Sequence, residues 1–163
     1  YKYQQTFTHY KKLPSYLPIF YIICLLAQIC IGGFVSGLDA GQIYQSWPLM
    51  NHSYFPDDSN IKELFSIESF ETPSIVQFMH RNIAYFIVLL FCFIGRLIYR
   101  NKDFIYLRKT TLLIFISLFL QVFLGILTVL SGAQIIFASM HQIGSIFLIT
   151  SSLILVFKNS RIN

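Results

Sequence analysis

A chain of 163 residues that is 55% hydrophobic and 12% charged, with 17 Phe and a mean hydropathy of +0.62, is too apolar for a water-soluble domain of its size. Its net charge of +5 does not point to nucleic acid, because the basic residues sit in short segments flanking apolar runs, as positive-inside topology requires. Cys24, Cys30 and Cys92 all lie within apolar runs and show no CxxC spacing, which argues against a disulfide framework or a thiol redox motif and leaves them as small packing residues.

Residues 1–12 form a polar, basic tail with Lys2, Lys11 and Lys12, ahead of a membrane domain over residues 13–163. The tail lacks the apolar core and cleavage site of a secretory signal. With no initiator Met, the sequence is expected to be an internal or processed piece of a longer protein. Residues 13–38 hold no charge, and since about 20 apolar residues cross the hydrocarbon core, a first span is expected at about 17–38. Gly33 and Gly37 near its far end fit a small-xxx-small contact between helices, with clearance for a cofactor as the alternative.

Residues 39–74 are the one long connection, an outer loop with six of the seven acidic residues. Tyr44 and Trp47 suit an interfacial loop rather than a strand. Asn60 followed by Glu63 predicts a short capped helix with Ile61, Leu64 and Phe65 on one face, lying flat on the membrane over the mouth of a bundle.

A second span follows Pro73 at about 75–98, interrupted near its start only by His80 and Arg81. Five basic residues and Asp103 occupy the segment 96–109. The uncharged run 110–157 is too long for one span, and SGAQ at 131–134 divides it into spans at about 110–130 and 135–157. Ten Lys and Arg lie in the two tails and the 96–109 segment, against Lys62 and Arg81 elsewhere, so both termini are expected on the cytoplasmic or matrix side.

The spans repeat. Gln-x-x-x-Gly occurs in the first and third, at Gln28 and Gly32 and at Gln121 and Gly125, and Met-His occurs in the second and fourth, at Met79 and His80 and at Met140 and His141. The predicted fold is an all-α membrane protein whose four transmembrane helices form an antiparallel four-helix bundle from two repeated helical hairpins. At a rise of about 1.5 Å per residue, His80 and His141 each lie roughly 7 to 10 Å below their helix starts and share a level.

An imidazole inside hydrocarbon must face the bundle interior and find a partner. Two at one depth, in one repeated frame, point to the axial ligands of a single haem iron, whose macrocycle needs an apolar slot and two nitrogens; zinc usually takes three or four protein ligands. Ala84 and Gly144 are small enough to leave room for a flat ring, or else are ordinary packing residues. Arg81 at that depth needs an anion or a route to the interface: a haem propionate suits it best, with Asp39 and snorkelling as alternatives. His9 in the tail and His52 in the outer loop are expected to be solvated. No GxSxG, phosphate-binding glycine loop or HExxH is present, so chemistry falls to the cofactor or to a substrate bound elsewhere.

Several segments together resemble the carboxyl-terminal half of the haem A synthase family: Gln28 with GGFVSGLDAGQIYQSWPLM at 32–50, Pro56 and Asp57, VQFMHR at 76–81, LQVFLGILTVL at 120–130 and ASMHQIGS at 138–145. The resemblance implies an eight-helix protein of two similar halves, in which the second holds haem b through His80 and His141. The first half, with the substrate haem and a catalytic carboxylate, has no counterpart here, so no catalytic residue is assigned. The implied reaction oxidises the haem O methyl group to the formyl group of haem A for cytochrome c oxidase biogenesis. Implied partners are the lipid bilayer, haem O and haem A through the other half, a redox partner, haem O synthase and a second copy of the chain. The GLDAG loop resembles the alphaproteobacterial and mitochondrial branch, which implies the bacterial inner membrane or the mitochondrial inner membrane. The competing readings are a stand-alone di-His b-type cytochrome and a catalytically incomplete fragment that binds a partner without haem.

Overall fold

A computed structural model describes residues 10–162. His9 and the rest of the expected tail up to that point lie outside the described residues. Among the described residues there are four α-helices: α1 (Tyr16–Gly37), α2 (Pro73–Arg100), α3 (Arg108–Leu130) and α4 (Ile135–Ser160). Each is long and apolar enough to cross a membrane, α3 together with the 3-10 turn Lys102–Leu107 that leads into it. Among the described residues there is no β-strand, only an isolated bridge between Met50 and Ser53.

Local chemistry sets where the helices begin and stop. Pro73 occupies the first turn of α2, where its missing N–H is no loss. At the end of α3 the Gly132 N–H donates to the Val129 carbonyl and the Ala133 N–H to the Thr128 carbonyl, with Gly132 at φ +67°. That is a Schellman closure, which needs a left-handed residue where glycine sits, and it lets α4 start within a few residues. Inside the spans, four hydroxyls are satisfied without water: Thr111, Thr128, Ser151 and Ser152 each donate to the carbonyl four residues earlier, which makes them tolerable in hydrocarbon.

α1 packs most extensively on α2, and α3 on α4, while α1 with α4 and α2 with α3 join the two pairs. Across the first pair Tyr21 meets Phe91 at 4.8 Å between ring centroids, Phe20 meets Phe86 at 6.4 Å, and Gln28 meets His80. Between the pairs Phe91 meets Phe115 at 4.8 Å, and a Cβ on Gly95 would come within 2.7 Å of the Phe115 ring, so α2 and α3 approach closely only because Gly95 has no side chain.

The apolar core fills one half of the bundle. Tyr21, Leu25, Ile87, Phe91, Ile94, Ile114, Leu118, Leu148 and Leu155 belong to it. Toward the other end the filling stops: α3 has no buried residue beyond Gln121, and α4 has none before Leu148. The half that bears His80 and His141 is thus the more open one.

Two expectations are corrected. Instead of a helix over residues 61–65, this part of the outer loop has two separate 3-10 turns, Glu63–Phe65 and Ile67–Phe70, besides the turn Ala40–Gln42 at the start of the loop. The Asn60 side chain accepts from Lys62 N, a local turn that competes with helix formation. Gly33 and Gly37 make no helix contact within the chain: a Cβ on either would meet nothing within 4 Å. They line a shallow outward groove with Cys30, Phe34 and Leu38, because they lie on the face of α1 turned away from α2.

At the closed end Asn159 ties the start of α1 to the end of α4. It accepts from Leu13 N at 2.9 Å and donates to the Leu13 carbonyl at 2.8 Å, and the Tyr106 hydroxyl donates to its Oδ1 at 3.1 Å. Asn159 is buried, so losing it strands both backbone groups. Replacing Asn159 with Leu is expected to destabilise the bundle by about 2 to 3 kcal/mol, measured by denaturation in detergent; an unchanged midpoint would contradict this.

Candidate functional site

The repeat seen in the sequence has a geometric meaning. From α1, Gln28 Nε2 donates to the backbone carbonyl of His80 at 3.0 Å. From α3, Gln121 Nε2 donates to the backbone carbonyl of His141, also at 3.0 Å. One turn further along each helix stands the glycine: a Cβ on Gly32 would be 3.2 Å from His80 Cε1, and one on Gly125 would be 3.1 Å from His141 Cε1. Each imidazole therefore leans on bare backbone, with a glutamine amide gripping its own main chain. Gly144, expected to leave room for a flat ring, instead faces Gln121, whose Nε2 would be 3.0 Å from its Cβ.

The two cradles bring the imidazoles together. His80 and His141 stand with ring centroids 6.4 Å apart and planes at 76°. One metal with a nitrogen bound at about 2 Å on each side separates two such centroids by about 6 Å, so the pair fits axial ligation of a single centre. His80 Nδ1 and His141 Nδ1 are buried without a hydrogen-bond partner, as are Gln28 Oε1 and Gln121 Oε1. Unpartnered polar atoms are costly in the interior, and four of them around one pair of rings mark a site with unused binding capacity. Among the described residues no group of three or more His, Cys, Asp or Glu is assembled to hold an ion.

Arg81 follows His80 and reaches the outer loop. It is 8% exposed, so it does not snorkel, and Asp39 is not its partner. Its Nη1 donates to the carbonyls of Ser46 at 2.9 Å and Leu49 at 3.3 Å, and its Nη2 to that of Tyr44 at 2.9 Å. Gln77 Nε2 donates to the same Tyr44 carbonyl at 3.0 Å. Arg81 Nε is buried without a partner. The guanidinium is thus the anchor by which α2 holds the outer loop over the open half of the bundle.

Other side chains add to that anchor. Trp47 Nε1 donates to the Tyr85 hydroxyl at 3.1 Å, and the Tyr54 hydroxyl donates to Asn82. The loop also reaches the far pair of helices, since a Cβ on Gly41 would be 3.1 Å from the Ala133 Cβ in the α3–α4 turn. The one hydrogen of the Tyr44 hydroxyl is shared between Asp57 and Asp58, and Ser74 at the start of α2 donates to Asp58. Partial burial pushes the Asp58 carboxyl up, but the hydroxyls of Ser74, Tyr44 and Ser59 outweigh it and hold the group below the usual aspartate value. Burial and the two aspartates push the Tyr44 phenol well above its usual value. His52 is exposed and far from these contacts in kind: none of the bonds above involves it.

Sequence reasoning found the two histidines but not the role of Gln28, Gly32, Gln121 and Gly125. The repeat of Gln-x-x-x-Gly in phase with Met-His was the available signal.

A helical membrane bundle with a facing pair of imidazoles and a pinned outer loop defines a multi-pass membrane protein of the di-histidine kind. Residues 4–153 match the family described as cytochrome oxidase assembly protein, and the chain belongs to that family. It is 42% identical over 149 residues to the heme A synthase of Pelagibacter ubique, covering 91% of this chain and 44% of that protein. It is 37% identical over 142 residues to the heme A synthase of Rickettsia rickettsii, covering 85% and 41%, and 34% identical over 121 residues to that of Bartonella tribocorum, covering 74% and 34%. The chain spans less than half the length of these relatives. No solved structure matches it.

Two outcomes are expected for the loop. Arg81→Gln, which cannot serve three carbonyls, is expected to cost about 3 kcal/mol and to free the loop, read as a changed emission of Trp47, the single Trp of the chain. A carboxyl with a lowered folded pKa stabilises above its unfolded value and stops doing so as pH falls through the folded one; a phenol with a raised pKa stabilises below its unfolded value and stops doing so as pH rises. Trp47 emission is therefore expected to stay flat between about pH 4 and pH 10, and to shift on the acid side below the usual aspartate range. In Asp58→Asn the acid-side step should shrink; an identical acid limb would remove Asp58 from the anchor.

Proposed function

We propose that this chain is the haem b-holding half of a haem A synthase, with His80 and His141 as the two axial ligands. Through it the whole protein supports oxidation of the haem O methyl group to the formyl group of haem A for cytochrome c oxidase biogenesis. The observation that carries the reading is the 6.4 Å separation of two imidazoles presented by duplicate Gln and Gly cradles.

Haem bound there supplies one-electron transfer. The residues of this chain do the rest. His80 and His141 offer ring nitrogens from two different helices, which sets the orientation of the group between them. Gly32 and Gly125 keep the space beside each ring clear. Arg81 closes the loop above, and its free Nε–H is available to an acid group of the macrocycle. The packed inner half, from Tyr21 to Leu155, excludes water from one side.

The oxidation itself, with haem O as substrate, oxygen as oxidant, a redox partner and haem O synthase as neighbour, belongs to the whole protein. The basic residues flanking the spans support termini on the cytoplasmic or matrix side of a bacterial inner or mitochondrial inner membrane. The contacts of Phe20 with Phe86 and of Gln28 with His80 run in opposite directions along α1 and α2, which supports an antiparallel hairpin as the repeated unit. A second reading, a stand-alone di-His cytochrome, is favoured by one fact: both histidines and both cradles lie within these residues.

The chain purified from membranes is expected to give a low-spin b-type reduced-minus-oxidised spectrum that is lost in both His80→Ala and His141→Ala. A chain that folds and carries no haem would overturn the cofactor. Haem extracted from cells lacking the gene separates the two readings: absence of haem A supports the synthase, and an unchanged haem A content leaves only the cytochrome.

A further inference from the structure

The two cradles share the carbonyl contact and differ at the ring. Gln28 Nε2 lies 3.0 Å from the His80 carbonyl and also 3.2 Å from the His80 ring nitrogen Nε2. Gln121 makes the carbonyl contact with His141, and its amide forms no hydrogen bond to the His141 ring. An amide NH2 has two hydrogens and no lone pair to offer. Pointed at a neutral imidazole nitrogen, it selects the tautomer in which that nitrogen is the acceptor, and the proton then resides on Nδ1. His80 Nδ1 is the buried atom beside Gly32 that has no partner.

We propose that Gln28 is a positioning residue that holds His80 in the tautomer with its proton on Nδ1, so that Nε2 carries the lone pair a metal needs, capped by the Gln28 amide until a metal takes it. The inference rests on the haem reading above and adds to it that the two ligands are unequal. His80 is gripped at both the ring and the main chain by one amide, so its ring rotation and its proton are set together. His141 is gripped at the main chain alone and keeps a ring free to adjust. An iron centre needs a nitrogen lone pair from each ligand. Gln28 occupies the lone pair of His80 with a weak donor that is readily given up, and its second hydrogen remains on the carbonyl.

The comparison that isolates the ring contact is Gln28→Met against Gln121→Met in the full chain, since each variant loses a carbonyl bond and only the first loses a ring bond. Ferric haem is titrated into each protein in detergent, and spin state is followed by electron paramagnetic resonance. Gln28→Met frees His80 Nε2 of a competing donor but leaves its ring rotation and proton unset, and is expected to lower haem affinity several-fold more than Gln121→Met does. Gln28→Glu, which turns a donor into an acceptor and so favours a proton on Nε2, is expected to shift bound haem from low-spin toward high-spin, a change that lost packing alone does not produce. Equal losses in the two Met variants, or a Gln28→Glu protein with the low-spin fraction of the unaltered chain, overturns the inference. If the unaltered chain itself shows no low-spin haem, the haem reading fails and not merely the part given to Gln28. Should Gln28→Glu fail to insert, the two Met variants decide.

Discussion

Hydrocarbon offers polar atoms no water, and the whole outer half of this bundle is arranged around that constraint. Two imidazoles and two carboxamides sit where apolar side chains would be cheaper. The chain meets part of the cost by pairing each amide with the carbonyl of the facing histidine, and it leaves the rest as four unpartnered atoms around the rings. In the closed half Phe91, Ile94 and Ile98 are fully buried, and Thr111, Ser151 and Ser152 donate to backbone carbonyls. The packed core lies at one end and the paired imidazoles at the other.

The outer loop follows from the same constraint. A guanidinium buried beside His80 must be surrounded by acceptors, and three loop carbonyls supply them. Because the acceptors are main-chain atoms, Arg81 fixes the path of the loop whatever its side chains are. Trp47, Tyr54 and Ser74 then fasten individual points of that path to α2. Two of the six acidic residues of the loop, Asp57 and Asp58, share the Tyr44 hydroxyl.

Much of this was legible from residues, and the rest was not for identifiable reasons. The four helices could be read because charged segments interrupt apolar runs of spanning length, and the SGAQ break was visible because glycine closes α3. His80 and His141 were conspicuous as rings at one depth in a repeat, and their roles as ligands remain a proposal. The Arg81 contacts could not be read, since backbone carbonyls have no sequence signature and a loop's path is a tertiary fact. Helical phase misled the reading of the glycines: Gly33 and Gly37 fit a packing motif, yet the neighbour Gly32, about 100° around the helix, is the one against His80. Ile61, Leu64 and Phe65 matched a helical face, but Phe65 is 86% exposed and the short turns present no apolar stripe.

The central claim is that the two rings share one iron, and hyperfine spectroscopy of the purified chain with nitrogen-15 histidine tests it directly. The expected result is one haem per chain with two imidazole nitrogens coupled to the same ferric centre. A single coupled imidazole, or a haem whose couplings survive replacement of either His80 or His141, contradicts it.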